Sequence, residues 1–498
     1  MGLILRQSFK NTIIIYLGFL IGGINTLILY TRFLKEEYYG LTTYVFSASN
    51  LLLPIIAFGI HFTIVKFYSS YTSKEQRDRF LSSVLFMPLI IALPIGFAWD
   101  YFHNWILDFV SDTNLVIENY TIYIYIIAVC CAYFEVFYSW AKVQMQSVFG
   151  NVLKELYNRV ATMVFLFAVF FDIITKQEFI AYMAYAYILR TVLMMLYAFK
   201  LYLPKLSCKL PHNFKEVLPY TLEIIMAGSA GAVVLDIDKV MIPGKDGFEM
   251  AAYYTVAVFI GSFIEAPSRA MGQILQPLTS KSINENDLTE TESLYKKSSI
   301  NLLLVGGLFY ILINTNVTEL FKLLPDRGYA GGELVVLLIS SAKLILMLLG
   351  NNGAIINNSK FYRITLPIGL GMALSVVYLN TYFYNDLDLG TDGLALATFI
   401  SIFSFSLFKI WFVKLKLNMT PFTKNTFKML MIIFVLFLAF YFWAFNCPEF
   451  YIGQLPIHPV INILLKSIMI VLVYLWVVYK VEVSEQINNL FLRLKKKR

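Results

Sequence analysis

The chain has 498 residues, 58% of them apolar and 14% charged, with a formal net charge of +8. Its mean hydropathy is +0.68. This balance excludes an ordinary soluble globular domain and reads as an all-α polytopic membrane protein. The basic residues fall in short loops between apolar runs, as in cytoplasmic loops of membrane proteins, so no nucleic-acid partner is implied. Cys130, Cys131, Cys208 and Cys447 have no metal-ligand spacing, and neither a metal site nor a disulfide framework is expected. The first apolar run is long enough to span, and no small-residue cleavage site follows it, so no cleavable leader is predicted.

Windows of roughly 20 apolar residues predict about fourteen spans. They fall at 11–30, 41–65, 80–99, 120–140, 152–171, 179–201, 218–240, 251–271, 300–313 with its flanks, 332–349, 364–383, 394–413, 427–445 and 460–479. With the N-terminus inside, the inner segments hold Lys10, Lys74, Arg77, Arg79, Lys205, Lys296, Lys297 and many more basic residues. The outer loops hold only Arg32, Lys35, Lys176, Lys239, Lys245, Lys322 and Arg327. An asymmetry of about four to one predicts that both termini are cytoplasmic. The expected organisation is an N-terminal six-helix bundle (1–203), a cytoplasmic linker (204–216) and a second six-helix bundle (217–418) related to the first by a pseudo-twofold axis. Two additional helices and a basic cytoplasmic tail (419–498) follow. The tail from Leu492 to Arg498 suits anionic lipid heads, at about 1 kcal/mol per basic residue. No loop has room for a soluble domain.

The stretch 217–243 opens the second half. Ala227, Gly228, Ala230 and Gly231 form a small-residue face that another helix backbone can approach closely. Glu223 lies near one end of this span, and Asp236, Asp238 and Lys239 near the other. Charges near a span centre cost roughly 2.5–3.5 kcal/mol each and usually face a cavity or a partner. Internal similarity is visible between 37–44, after the first span, and 249–255, after the seventh. Each precedes a span carrying a proline, Pro54 and Pro267. Two halves in the same orientation are the parallel-repeat arrangement of some transporters.

Several local patterns follow in order. Arg32-Phe33-Leu34 with Tyr39-Gly40 looks like R-x-L-x-x-x-x-Y/F-G. Phe58-Gly59-Ile60 through Lys66-Phe67 looks like G-(x)-a-l-x-R-F/Y, with Lys in place of Arg. Leu218-Pro219 and Asp238-Lys239 resemble lP…iD-R/K, and Tyr253, Thr255 and Ala257 resemble GxYsxA. Leu379-Asn380 and then Gly390 to Thr398 resemble lN..lip.fGxxGAAxAT, without the usual paired alanines. In order and spacing the chain resembles the polysaccharide flippases (Wzx-like O-antigen flippases) of the multidrug/oligosaccharidyl-lipid/polysaccharide exporter superfamily, with MurJ and MATE exporters as relatives. The resemblance implies a bacterial inner-membrane transporter that needs no cofactor. Its task would be to move undecaprenyl-diphosphate-linked oligosaccharide, such as an O-antigen or other surface polysaccharide repeat unit, from the inner to the outer leaflet. Alternating access would carry it, coupled to a proton or sodium gradient. Membrane lipids and polysaccharide polymerase machinery are the expected partners.

The charged residues within spans are the candidates for that work. Tyr182, Ala186 and Arg190 share a helix face at i, i+4, i+8. A guanidinium binds phosphate in bidentate fashion, and a tyrosine ring can stack on a sugar. The plainer reading of Arg190 is a pair with a buried carboxylate. Lys343 is mid-span in the tenth predicted helix; it lines a cavity or needs an acidic partner. Lys66, Arg159 and Arg269 complete the expected cationic cavity. Glu265 and Arg269 also have the spacing of a local i,i+4 ion pair, with Pro267 between them to kink the span. Glu135, Glu223 and Asp238 are the candidates for ion coupling, since intramembrane carboxylates serve as relays. Glu135 and Glu223 could equally pair with Arg159, Lys66 or Arg269, and Asp238 could cap an outer helix end. His61, His103, His212 and His458 are scattered without metal spacing.

Two other classes remain in view. A membrane polysaccharide polymerase or ligase would carry a large outer loop with catalytic residues, which this chain lacks, and no P-loop, His-Glu-x-x-His or Gly-x-Ser-x-Gly occurs. The expectation is a non-enzyme. A MATE-like exporter of small cations predicts an acidic central cavity, whereas Arg190 and Lys343 predict a basic one.

Overall fold

The structure is a computed structural model that describes residues 2–110, 115–207, 209–443, 448, 451–452 and 455–483. Cys208, Cys447, the side chain of Ala227 and the basic tail from Leu492 lie outside the described residues. The chain is helical, because hydrocarbon offers backbone groups no water and a helix satisfies them internally. The first half holds α1 (Lys10–Phe33), α2 (Glu36–Ile56), α3 (Ile60–Phe67), α4 (Lys74–Phe97), α5 (Trp99–Val110) and α6 (Thr121–Val143). It continues with α7 (148–170) and α8 (Phe179–Leu201). Then come α9 (Phe214–Met241), α10 (Pro243–Ser262), α11 (Glu265–Asn284), α12 (Leu288–Phe321), α13 (Glu333–Leu348) and α14 (Asn352–Asn358). The last are α15 (Thr365–Asn380), α16 (Gly390–Leu417), α17 (Lys424–Tyr441) and α18 (His458–Val481). A two-residue antiparallel ribbon, Tyr451–Ile452 with Leu455–Pro456, precedes α18.

Among the described residues, 11 helices are long and apolar enough to cross a membrane, or up to 13 if each of two bent helix pairs counts as one span. The expected count of fourteen is therefore not reached. The difference lies at 152–171, which is helical throughout α7 but carries Lys154, Glu155 and Arg159 within two turns of one another. The bent pairs are α10 with the start of α11, at 57°, and α13 with α14, at 52°.

Starts and breaks have local causes. Ser73 caps α4 by accepting from the Gln76 amide at 3.3 Å, and Asp287 caps α12 by accepting from the Glu290 amide at 2.9 Å. Thr175 and Glu178 cap the entry to α8 reciprocally, which satisfies two amides that the helix cannot. Gly59 separates α2 from α3 in a left-handed conformation, φ +63°, which a side chain adopts only at a cost. Single π-turns interrupt the helical run at Asn25–Leu29, at Leu153–Tyr157 and, after α15, at Thr381–Asp386.

The chain divides into two compact units. The first comprises 1–255 with 366–381. Its core gathers Phe80, Phe134, Trp140 and Met194 from α4, α6 and α8. α9 packs along α2 and α3. A Cβ at Gly59 would lie 2.2 Å from Ile224 Cγ2, and one at Gly40 only 1.7 Å from the Phe248 carbonyl oxygen. The small-residue face of α9 does not serve one partner. Ala230 packs with Val234 on Ala373 and Val376 of α15, Gly228 meets Pro54, and Gly231 faces open space.

The second unit comprises 256–365 with 382–498. α12 runs through it and packs against α11, α13, α17 and α18. Leu303, Ile311, Met429, Ile433, Ile470 and Tyr474 form its core. The Tyr474 hydroxyl donates to the Leu304 carbonyl at 2.5 Å. A Cβ at Gly307 would lie 2.4 Å from Ile433 Cδ1.

Candidate functional site: charges within the spans

In the first unit α6, α7 and α8 bring four of the expected residues onto adjoining helices. Arg190 of α8 is 5% exposed. Its guanidinium stacks 4.2 Å from the Phe134 ring centroid and 4.7 Å from that of Tyr187. Nη2 donates to Cys131 Sγ at 3.3 Å, and Nε has no hydrogen-bond partner among the described residues. No described carboxylate pairs with it, so the plainer reading, a buried Arg–carboxylate pair, does not hold. Two aromatic faces replace the acid, an arrangement worth up to about 2 kcal/mol when desolvated.

Glu135 of α6 accepts from Lys154 Nζ at 2.6 Å rather than from Arg159, Lys66 or Arg269. The Lys154 side chain is 44% exposed and that of Glu135 15%. Lys142 and His61 lie within electrostatic reach of the same carboxylate, and Arg190 within reach of Lys154. Glu155 also lies within electrostatic reach of Lys154. Arg159 is neutralised locally: its Nη1 donates to Glu155 Oε2 at 3.0 Å and to the Glu155 carbonyl at 2.7 Å. Gly18 makes room for it, since a Cβ there would lie 2.2 Å from Nη1.

Tyr182 is not brought to Arg190. It is 38% exposed and packs against Phe165 and Tyr185, while Ala186 and Arg190 turn inward. Lys66 sits with Nζ 3.7 Å from the Tyr220 ring centroid. Glu223 is exposed and makes no ion pair among the described residues.

Asp238 lies in the last turn of α9. It is 6% exposed, and its two oxygens accept from the Tyr254 hydroxyl at 2.6 Å and from Asn380 Nδ2 at 2.7 Å. That single carboxylate ties α9 to α10 and α15. Two residues earlier, Asp236 accepts from Ser47 at 3.1 Å, Asn50 at 3.2 Å and Lys239 at 3.1 Å. The sequence places Asp236 near a helix end and points to no role for it; two of its three donors, Ser47 and Asn50, come from α2, far away in sequence. Lys154 as partner of Glu135 was missed too. The only signal is Glu135, isolated in its apolar span; Lys154, Glu155 and Arg159 crowd the next one, so no single partner stands out.

In the second unit Lys343 is 9% exposed and donates to Glu265 Oε2 at 2.6 Å. Arg269 Nε donates to Glu265 Oε1 at 3.0 Å. The i,i+4 pair is present, and Lys343 has the acidic partner a buried lysine requires. The three groups sit at the 57° bend, where the helix breaks just before Glu265 and Pro267. Among the described residues no group of three or more His, Cys, Asp or Glu side chains could hold a metal ion.

A family model described as "Polysaccharide biosynthesis protein" matches residues 8–282. The chain belongs to this polysaccharide biosynthesis family. Among curated proteins, none matches in sequence. Solved structures share the fold. Lipid II flippase MurJ in an inward closed conformation has a TM-score of 0.67 at 14% identity, over 95% of this chain and 99% of MurJ. An inward-facing multidrug resistance MATE family transporter of the MOP superfamily has a TM-score of 0.61 at 15% identity, over 82% of this chain and 98% of the other. A MOP superfamily transporter from Pyrococcus furiosus, whose reverse polarity of binding pocket suggests a different function, has a TM-score of 0.59 at 16% identity. That match covers 84% of this chain and 95% of the transporter. The protein is a polytopic member of a polysaccharide biosynthesis family, built on the fold of flippases and exporters.

Proposed function

We propose that the chain flips an undecaprenyl-diphosphate-linked oligosaccharide from the inner to the outer leaflet by alternating access. The observation that carries this reading is Arg190, a buried guanidinium paired with no described carboxylate, near Lys154, whose own ion-pair partner is Glu135. Uncompensated positive charge inside a span is costly, and its use is to meet an anion. A diphosphate joined to a lipid tail is such an anion, and a planar guanidinium matches its oxygens. An exporter of small cations would want the opposite sign. Family membership and the shared fold with a lipid II flippase support the same substrate class.

In this reading Arg190 and Lys66 supply the cationic lining and Tyr182 an aromatic face for sugar, while Arg159, Lys343 and Arg269 are engaged by Glu155 and Glu265 and add little net positive charge. The two halves are the moving bundles. Asp238 is the first candidate for proton or sodium coupling, because titrating it changes the hydrogen bonds of three helices at once. Glu135 and Glu223 stand behind it. The site of action is the bacterial inner membrane, with both termini cytoplasmic and polysaccharide polymerase machinery as the neighbouring consumer of the flipped unit.

The test is mass spectrometry of extracted lipids from cells lacking the gene, rescued with the native chain, Arg190→Ala or Arg190→Lys. Diphosphate-linked repeat units should accumulate in the deletion and clear with the native chain alone. Arg190→Lys should fail as well, because a lysine offers neither the planar stack nor the bidentate fork. Unchanged lipid-linked pools with raised sensitivity to cationic drugs would reject the reading in favour of a MATE-like exporter.

A further inference from the structure

The second unit contains a cavity of about 260 Å³ between α11, α12 and the α13–α14 bend. Ser268, Gln276, Asn351 and Asn357 contribute its polar lining, Leu275 and Leu302 its apolar wall. It lies at both of the broken helix pairs. Interrupted spans mark binding sites in transporters. Gly350, with φ +55°, makes the second break. A Cβ there would lie 2.5 Å from Ser298 Oγ, whereas Cβ atoms at Gly272 and Gly353 would meet nothing within 4 Å. The two latter glycines therefore leave volume that is not filled by the fold.

The chemistry of the lining is neutral. No charged side chain is among the described lining residues. Arg269, next to Ser268 in sequence, is engaged with Glu265, as is Lys343. Asn351 is held by Thr279 and Ser298, and Asn357 accepts from Thr365. Ser268 and Gln276 have no hydrogen-bond partner among the described residues. A hydroxyl and a carboxamide offer donors and acceptors together, which suits hydroxyls and an acetamido group, not a diphosphate. The volume falls just below the roughly 300–1,000 Å³ of pockets for drug-sized ligands, so it suits one ring, not a whole repeat unit. Leu275 and Leu302 give the C–H face of such a ring an apolar wall.

We infer that this cavity is a neutral subsite for one N-acetylated sugar of the transported head group. The inference rests on the flippase reading. Gln276 pairs with the acetamido group, and Ser268 with a ring hydroxyl.

The test uses the full chain in lipid nanodiscs and native mass spectrometry with two probes, undecaprenyl diphosphate and undecaprenyl-diphosphate-N-acetylglucosamine. The native chain should prefer the sugar-bearing probe about tenfold, the scale of one or two neutral hydrogen bonds. Gln276→Ala and Gly353→Leu, which fills the cavity without meeting backbone, should each erase that preference. Their affinity for undecaprenyl diphosphate and their melting temperature should stay native. Equal affinity of the native chain for the two probes, or variants that keep the preference, would overturn the subsite and leave the flippase reading standing. A native chain that binds neither probe would remove the flippase reading and the subsite with it.

Discussion

A Cβ at Gly40 would lie 1.7 Å from the Phe248 carbonyl oxygen, a distance no rearrangement of side chains relieves. Gly40→Ala should therefore cost at least about 3 kcal/mol, the range of severe overpacking, and read out as loss of monodisperse protein in detergent. Gly231→Ala, where the added Cβ meets nothing within 4 Å, should leave the melting temperature within a degree or two of native. At this scale much was legible in the sequence. Gly40 and Gly59 stood out as parts of local patterns, and both turn out to be points of backbone contact. Asp238 and Asn380 came from two separate patterns 142 residues apart, and they share a hydrogen bond. What the sequence did not reveal is partner choice. Glu135 takes Lys154, and Arg190 takes two rings, because pairing depends on which helix faces turn toward each other. A spacing along the chain carries no such information.

At the scale of elements, breaks mattered more than lengths. Pro267 pointed to a kinked span, and the bend lies just ahead of it. The second bend, at Gly350, has no proline and went unread; a lone glycine in an apolar run gives only a weak signal. The span at 152–171 was read correctly as helical, but its three charges within two turns set it apart from lipid-facing spans. The last two helices form no separate layer. They dock on α12, with Tyr474 and Ile433 reaching its Leu304 and Gly307. Gly307→Leu should undock α17 and lower the melting temperature by several degrees. Tyr474→Phe, which removes one buried hydrogen bond, should cost only about 1 kcal/mol. Thermal unfolding of the two purified variants side by side would separate packing from hydrogen bonding.

For the molecule as a whole, the charge asymmetry of the loops yields a directional expectation. A single cysteine introduced at Lys176 should react with a membrane-impermeant maleimide in intact spheroplasts. One at Lys74 or Lys296 should react only after permeabilisation, in a background lacking the native cysteines. The reverse pattern would invert the orientation and with it the direction of transport. The two-unit division by compactness puts α9 and α15 with the first half of the chain. Both helices meet at Asp238, so a change of charge at that carboxylate is felt by helices from both halves of the sequence.

The three π-turns bear on how chains of this kind are to be aligned. Each holds one residue more than the α-turn it replaces, and each residue rotates a helix by about 100°. Removing one residue from 25–29 would restore a regular helix but swing Tyr30 away from its 4.5 Å stack on Tyr39, and Asn25 from its 2.7 Å hydrogen bond to the Arg159 carbonyl. One-residue gaps between this chain and a relative are therefore to be sought inside helices, at 25–29, 153–157 and 381–386. A gap moved to the nearest loop would shift every residue of the rest of that helix by one position and pair the wrong residues.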